Sequence, residues 1–104
     1  MKMPLYVSIG PYDIPIRELD PSDSEKNYGL FHSEKMVILL RKEFSSPQQA
    51  ADTLLHEVLH AVWHIAGMNH KDGEERLVAT LATQLCAVVR QNPNLVSFLQ
   101  GALK

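Results

Sequence analysis

At 104 residues, 45% hydrophobic and 21% charged, the chain has the composition of one small soluble domain with one modest core. A net charge of −2 and the lack of any basic block argue against broad electrostatic binding to nucleic acid or to an anionic membrane surface. The single cysteine, Cys86, excludes an intrachain disulfide. Met1-Lys2-Met3-Pro4 opens no long apolar leader and no stretch approaches membrane-spanning length, so a cytoplasmic protein is expected.

Met3 to Ile9 is apolar and partly β-branched and predicts a first strand, closed by the turn signal Gly10-Pro11. Tyr12 to Leu19 alternates, with Ile14 and Ile16 on one face; Pro15 restricts it to an edge strand or an irregular extension. Asp20 to Ser24 is a polar loop, expected to be mobile. Tyr28 to His32 and Met36 to Arg41 flank Ser33-Glu34-Lys35 and predict a β-hairpin. Val37 to Leu40 is apolar on both faces and should be its more buried strand.

A helix follows over about 47–66. Ser46 suits its N-cap, Pro47 its N1 position and Gln49 the reciprocal capping position, while Gly67 is a natural stop. Within it stands His56-Glu57-Val58-Leu59-His60, the pattern H-E-x-x-H. A chain with five histidines is expected to hold such a match about 0.02 times by chance. Two imidazoles one turn apart share a face and can hold one zinc ion together, leaving room for a water. The carboxylate of Glu57 would sit beside that water as a general base. Gln49, Thr53, His56, Glu57, His60 and His64 form one narrow polar stripe on an otherwise apolar helix, which should therefore be packed on several sides.

A polar connection, 68–73, leads to a second helix over about 74–90, with Leu77, Val78, Leu81, Leu85, Val88 and Val89 on one side. Cys86 falls in its apolar pattern and is expected to be a buried core thiol. Asn92-Pro93 ends this helix and starts a short third one, to about Leu103. Strands first and helices afterwards predict an α+β fold in one domain over 1–104. It would have a small, mostly antiparallel sheet of three to four strands, with the motif helix and the second helix packed on one face.

Two histidines do not complete a zinc site, and the candidates for a third ligand are Glu74, Glu75, His64 and His70. By helical spacing Glu75 falls on the side of Val78, Ala82 and Cys86, and Glu74 is also inward. An acid at the start of an apolar face needs something to neutralise it, and a metal ion would do so. The plainer role for both acids is to sit favourably at the positive end of the helix behind Asp72-Gly73. His64 continues the i, i+4 series, but three such histidines on a straight helix cannot close tetrahedrally on one ion, so an outer or exposed role is expected.

Tyr28-Gly29-Leu30-Phe31, the hairpin ending in Met36 to Leu40, and Thr53-Leu54-Leu55-His56-Glu57-Val58-Leu59-His60-Ala61 together resemble the minimal gluzincin-like metallopeptidase domains of the ImmA/IrrE type, often encoded by phages and mobile elements. In that family a second helix opens with a ligand glutamate, as E-x-x-A-N-x-x-A. Glu75 to Ala82 is similar, with Val78 and Ala79 in place of Ala-Asn. The resemblance covers about residues 28–90. It implies zinc held by His56, His60 and Glu75, Glu57 as general base, and a protein substrate such as a repressor. Metzincins fit less well, because their extended motif needs glycine and histidine where this chain has Trp63 and Ala66.

The leading expectation is therefore a zinc-dependent peptidase, with an oxyanion helper drawn from Tyr28, His32, His70 or Arg76. The strand Met36 to Arg41 would pair with an extended substrate if it lay at the sheet edge. The alternatives are a zinc-binding structural or regulatory module without turnover, or a subunit whose groove a partner completes.

Overall fold

The computed structural model describes residues 3–68 and 73–103. The fold is α+β: a four-stranded mixed sheet followed by three helices. Strand β1 (Tyr6–Ile9) and strand β2 (Tyr12–Glu18) form an antiparallel hairpin around Gly10-Pro11. Gly10 has φ +56°, the left-handed conformation that a two-residue hairpin needs at its first position. A single helical turn, α1 (Pro21–Ser24), then leads to β3 (Gly29–His32), which pairs antiparallel with β4 (Val37–Leu40). Strand β4 also pairs parallel with β2, so the order across the sheet is β1-β2-β4-β3. Two of the three pairings are antiparallel.

The sequence expectation for β4 is met: it is interior, and Val37, Ile38 and Leu40 are buried. The free edge beside the helices therefore belongs to β3, and strand addition at Met36–Arg41 is excluded because both sides of β4 are occupied. Met36 itself lies in the turn, at φ +50°, and not in the strand. Pro15 is accommodated inside β2 by a handover of partners. Ile16 N–H donates to Leu5 O at 2.9 Å, so by alternation Pro15 faces β1 at a position that needs no donor, and pairing with β4 begins only at Ile16.

The segment read as a polar loop is shorter than expected because Pro21 starts a helical turn, with Asp20 O accepting from Asp23 and Ser24 N–H. Arg41 ties this crossover down. Its guanidinium donates to Ser24 O, and it lies 4.2 Å over the Tyr28 ring.

Helix α2 (Pro47–Ile65) begins as its sequence dictates: Ser46 Oγ accepts from Gln49 N–H at 3.1 Å. Gln49 reaches one residue further back than the usual reciprocal cap, accepting from Ser45 N–H at 2.9 Å. The helix stops at Gly67, φ +73°, where Gly67 N–H donates to His64 O and Met68 N–H to Trp63 O. One stripe of α2 (Leu54, Val58, Ala61 and Ile65) packs on Ile14, Ile38 and Leu40 of the sheet. Helix α3 (Glu74–Gln91) lies along another side of α2, inserting Val78 and Ala82, and helix α4 (Pro93–Ala102) packs on α3.

The inward side of α3 is the expected one, with Val78 and Ala82 buried, while the expectation for Cys86 is corrected. Val78 and Ala82 face inward, and the larger residues Leu77, Leu81, Leu85, Val88 and Val89 remain substantially exposed. Phe98 of α4 is 69% exposed. Cys86 is half-buried at the α2–α3 seam and not in the core; partial burial, followed by the nearby Asp52 carboxylate, pushes its thiol pKa up and keeps it protonated. Among the described residues no helix is long and apolar enough to cross a membrane.

Ile38 is fully buried where α2 meets the sheet. Ile38→Ala should destabilise the protein by about 2–5 kcal/mol in urea denaturation. Leu85→Ala, on the exposed side of α3, should cost well under half as much.

Candidate metal centre

The helix geometry of α2 brings the His56 and His60 rings edge to face, 4.8 Å apart at 60°. Their Nε2 atoms point at a common focus and stand 3.1 Å from each other. From the first turn of α3, Glu75 closes the group: its Oε1 is 2.7 Å from His56 Nε2 and its Oε2 is 2.9 Å from His60 Nε2. Donor atoms of His56, His60 and Glu75 all lie within 4.8 Å of one another, a group able to hold a metal ion. Tetrahedral donors at the usual zinc distances stand about 3.3 Å apart. The three residues would meet that spacing by moving a few tenths of an ångström. Two neutral imidazoles and one carboxylate are also the donor set of open, three-ligand zinc sites. Glu75 is 72% exposed, so it covers the pair from the solvent side.

Glu74 is not in this group. Its Oε2 is 2.7 Å from Nδ1 of His60, the nitrogen facing away from the focus. His64 is exposed and lines the same cleft, with its ring 5.9 Å from Phe31. It stays outside the ligand group, as expected for a third histidine on one straight helix. His70 lies outside the described residues. The N-cap of α3 is Gly73, φ +89°, which offers no side-chain oxygen. The first-turn acids thus meet histidines, besides facing the positive end of their helix.

Glu57 is the buried acid among the described residues, 6% exposed, on the flank of α2 that meets β3. Burial raises its pKa above the ordinary 4.5; the neighbouring His56 and His60 oppose this, Glu75 adds to it, and the Phe31 backbone N–H pulls it back down. That N–H is available because Arg41 N–H donates to Tyr28 O, which places the backbone groups of Gly29 and Phe31 on the side of β3 facing away from β4.

The residue that sequence reasoning missed here is Gly29. A Cβ on it would come within 2.9 Å of Leu40 Cδ2 and of Thr53 Cγ2 and 3.2 Å of Glu57 Cγ. The bare backbone lets β3 lie against α2 where Glu57 emerges. A glycine inside a strand pattern signals close approach, and that was the available clue.

The histidines, Glu57, Glu74 and Glu75 line a cleft of about 720 Å³ whose other walls include Asn27, Ser33, Trp63 and Met68. Three of the four proposed oxyanion helpers are not in its walls. Tyr28 is held under Arg41, His32 Nδ1 accepts from Lys35 N–H, and Arg76 is exposed on α3. No family model matches the chain, and no curated protein or solved structure matches it either.

Gly29→Ala should cost about 1–3 kcal/mol in urea denaturation, although alanine suits a strand better than glycine, because the added methyl overpacks the contact. Adding Thr53→Ser, which removes one clashing methyl, should recover part of the loss. Glu57 also has a pH signature in the metal-free protein. Its folded-state pKa lies above 4.5, so its ionisation opposes folding increasingly as pH rises from 4.5 through the folded value. Glu57→Gln should therefore stabilise the protein above that window and make no difference below it, measured by denaturation at acid and neutral pH.

Proposed function

We propose that the protein is a zinc-dependent peptidase related to the ImmA/IrrE type. The observation that carries this reading is the convergence of Glu75 from a second helix on the shared focus of His56 and His60, with Glu57 buried alongside. A bound zinc ion would make a scissile carbonyl more electrophilic and a water more acidic.

The protein's own residues supply the rest. Glu57 accepts a proton from the attacking water and delivers it to the leaving amine. Its burial supports the first role, because a carboxylate whose pKa is held above the ordinary value takes up a proton more readily than an exposed one. The cleft-facing edge of β3 offers Gly29 N–H, Gly29 C=O and Phe31 C=O to an extended peptide, which would add to the sheet as a fifth strand. The Phe31 N–H lies toward Glu57 and lowers its pKa. Polar wall groups from Asn27, Ser33 and His64 are the nearby candidates to support the developing oxyanion. Repressor proteins, the substrate class the family resemblance implies, are the first to test. The net charge of −2 fits recognition of the protein and not of DNA.

Purified protein should bind one zinc per chain by metal analysis, and His56→Ala or Glu75→Ala should abolish or strongly weaken that binding. Glu57→Gln should keep the metal while peptide cleavage falls by about 10²–10⁴-fold. A wild type that binds zinc but cleaves no peptide or protein would instead be a metal-holding module.

A further inference from the structure

We infer that Glu74 is a positioning residue that commits His60 to bind metal through Nε2; this rests on the metal-site reading above. An imidazole can offer a lone pair from either ring nitrogen, and the hydrogen bond at one nitrogen decides which. An ionised carboxylate only accepts hydrogen bonds. With Glu74 Oε2 2.7 Å from His60 Nδ1, a proton on Nδ1 satisfies that contact, and with an ion at the shared focus Nε2 would offer its lone pair on the side of His56 and Glu75. The same contact stops the ring from turning over, since rotation would carry Nε2 away from the focus.

Glu74 and Glu75 are consecutive, so on a helix their side chains diverge by about 100°. That divergence lets one turn of α3 grip His60 at both nitrogens, Glu74 at Nδ1 and Glu75 at Nε2. The two acids differ in setting as well as in target. The Glu74 side chain is 26% exposed and the Glu75 side chain 72%. The sheltered acid is held against the far nitrogen, and the exposed one is free to adjust to an ion. Carboxylate–imidazole–metal chains of this kind fix ligand orientation and raise ligand basicity, and their loss costs about 10–100-fold in metal affinity.

The test is zinc affinity of the full chain, measured by competition with a chromophoric chelator, for wild type, Glu74→Ala, Glu74→Gln and Glu75→Ala. Glu74→Ala should weaken zinc by about 10–100-fold. Glu74→Gln, whose amide oxygen still accepts from Nδ1–H, should lose less, and Glu75→Ala should lose most. In the zinc-saturated protein the His60 Nδ1 proton should give a slowly exchanging downfield NMR signal in the wild type and in Glu74→Gln, and none in Glu74→Ala. If Glu74→Ala does not fold, Glu74→Gln against Glu74→Leu gives the same comparison. Unchanged affinity with the proton signal retained in Glu74→Ala overturns the assignment while leaving the ligand set intact. A loss as complete as that of Glu75→Ala overturns it too, by making Glu74 a ligand. A wild type that binds no zinc removes the peptidase reading and this inference together.

Discussion

The distance between strand β3 and helix α2 is the constraint on which the rest of the molecule depends. Gly29 makes that distance short: with no side chain there, Thr53 and Glu57 pack directly on the strand backbone. The approach buries Glu57, brings it to the Phe31 N–H, and leaves the outer edge of β3 facing the cleft. A larger residue at position 29 would push strand and helix apart, opening Glu57 to water and returning its pKa toward the ordinary range.

Charge is arranged around this contact with economy. Three carboxylates, Glu57, Glu74 and Glu75, surround two imidazoles, and each has a separate position. Glu57 is buried on the strand side, Glu75 bridges the two Nε2 atoms, and Glu74 holds Nδ1 of His60. So many acids in one place would repel one another. Imidazole donors, the Phe31 N–H and the positive first turn of α3 offset that repulsion, and a divalent cation at the shared focus would offset it further.

Packing follows the same division. Helix α2 is covered by the sheet on one side and α3 on another, as its nearly uniform apolar surface requires. Helix α3 meets α2 through Val78 and Ala82 and is touched by the short α4, and its larger apolar residues stay exposed. The periodicity of α3 is real, but periodicity marks an apolar side without saying whether anything covers it.

Much of this was legible from residue order alone. The α+β class, the buried strand Val37–Leu40, the start of α2 at Ser46-Pro47 and the pairing of His56 with His60 all depend on local spacing, which the chain carries within a few turns. Other features needed the fold. Whether Glu74 or Glu75 completes the group turns on the angle at which α3 crosses α2, and neighbouring acids in one turn look alike in sequence. The edge position of β3 depends on the parallel pairing of β2 with β4, which no local pattern announces. The role of Gly29 depends on Leu40 and Thr53, far from it along the chain. The sequence by itself determined the elements and the two imidazoles, because those follow from short-range geometry. Only the tertiary structure decided which acid meets which nitrogen and how deeply Glu57 is buried, because both depend on how separate elements pack.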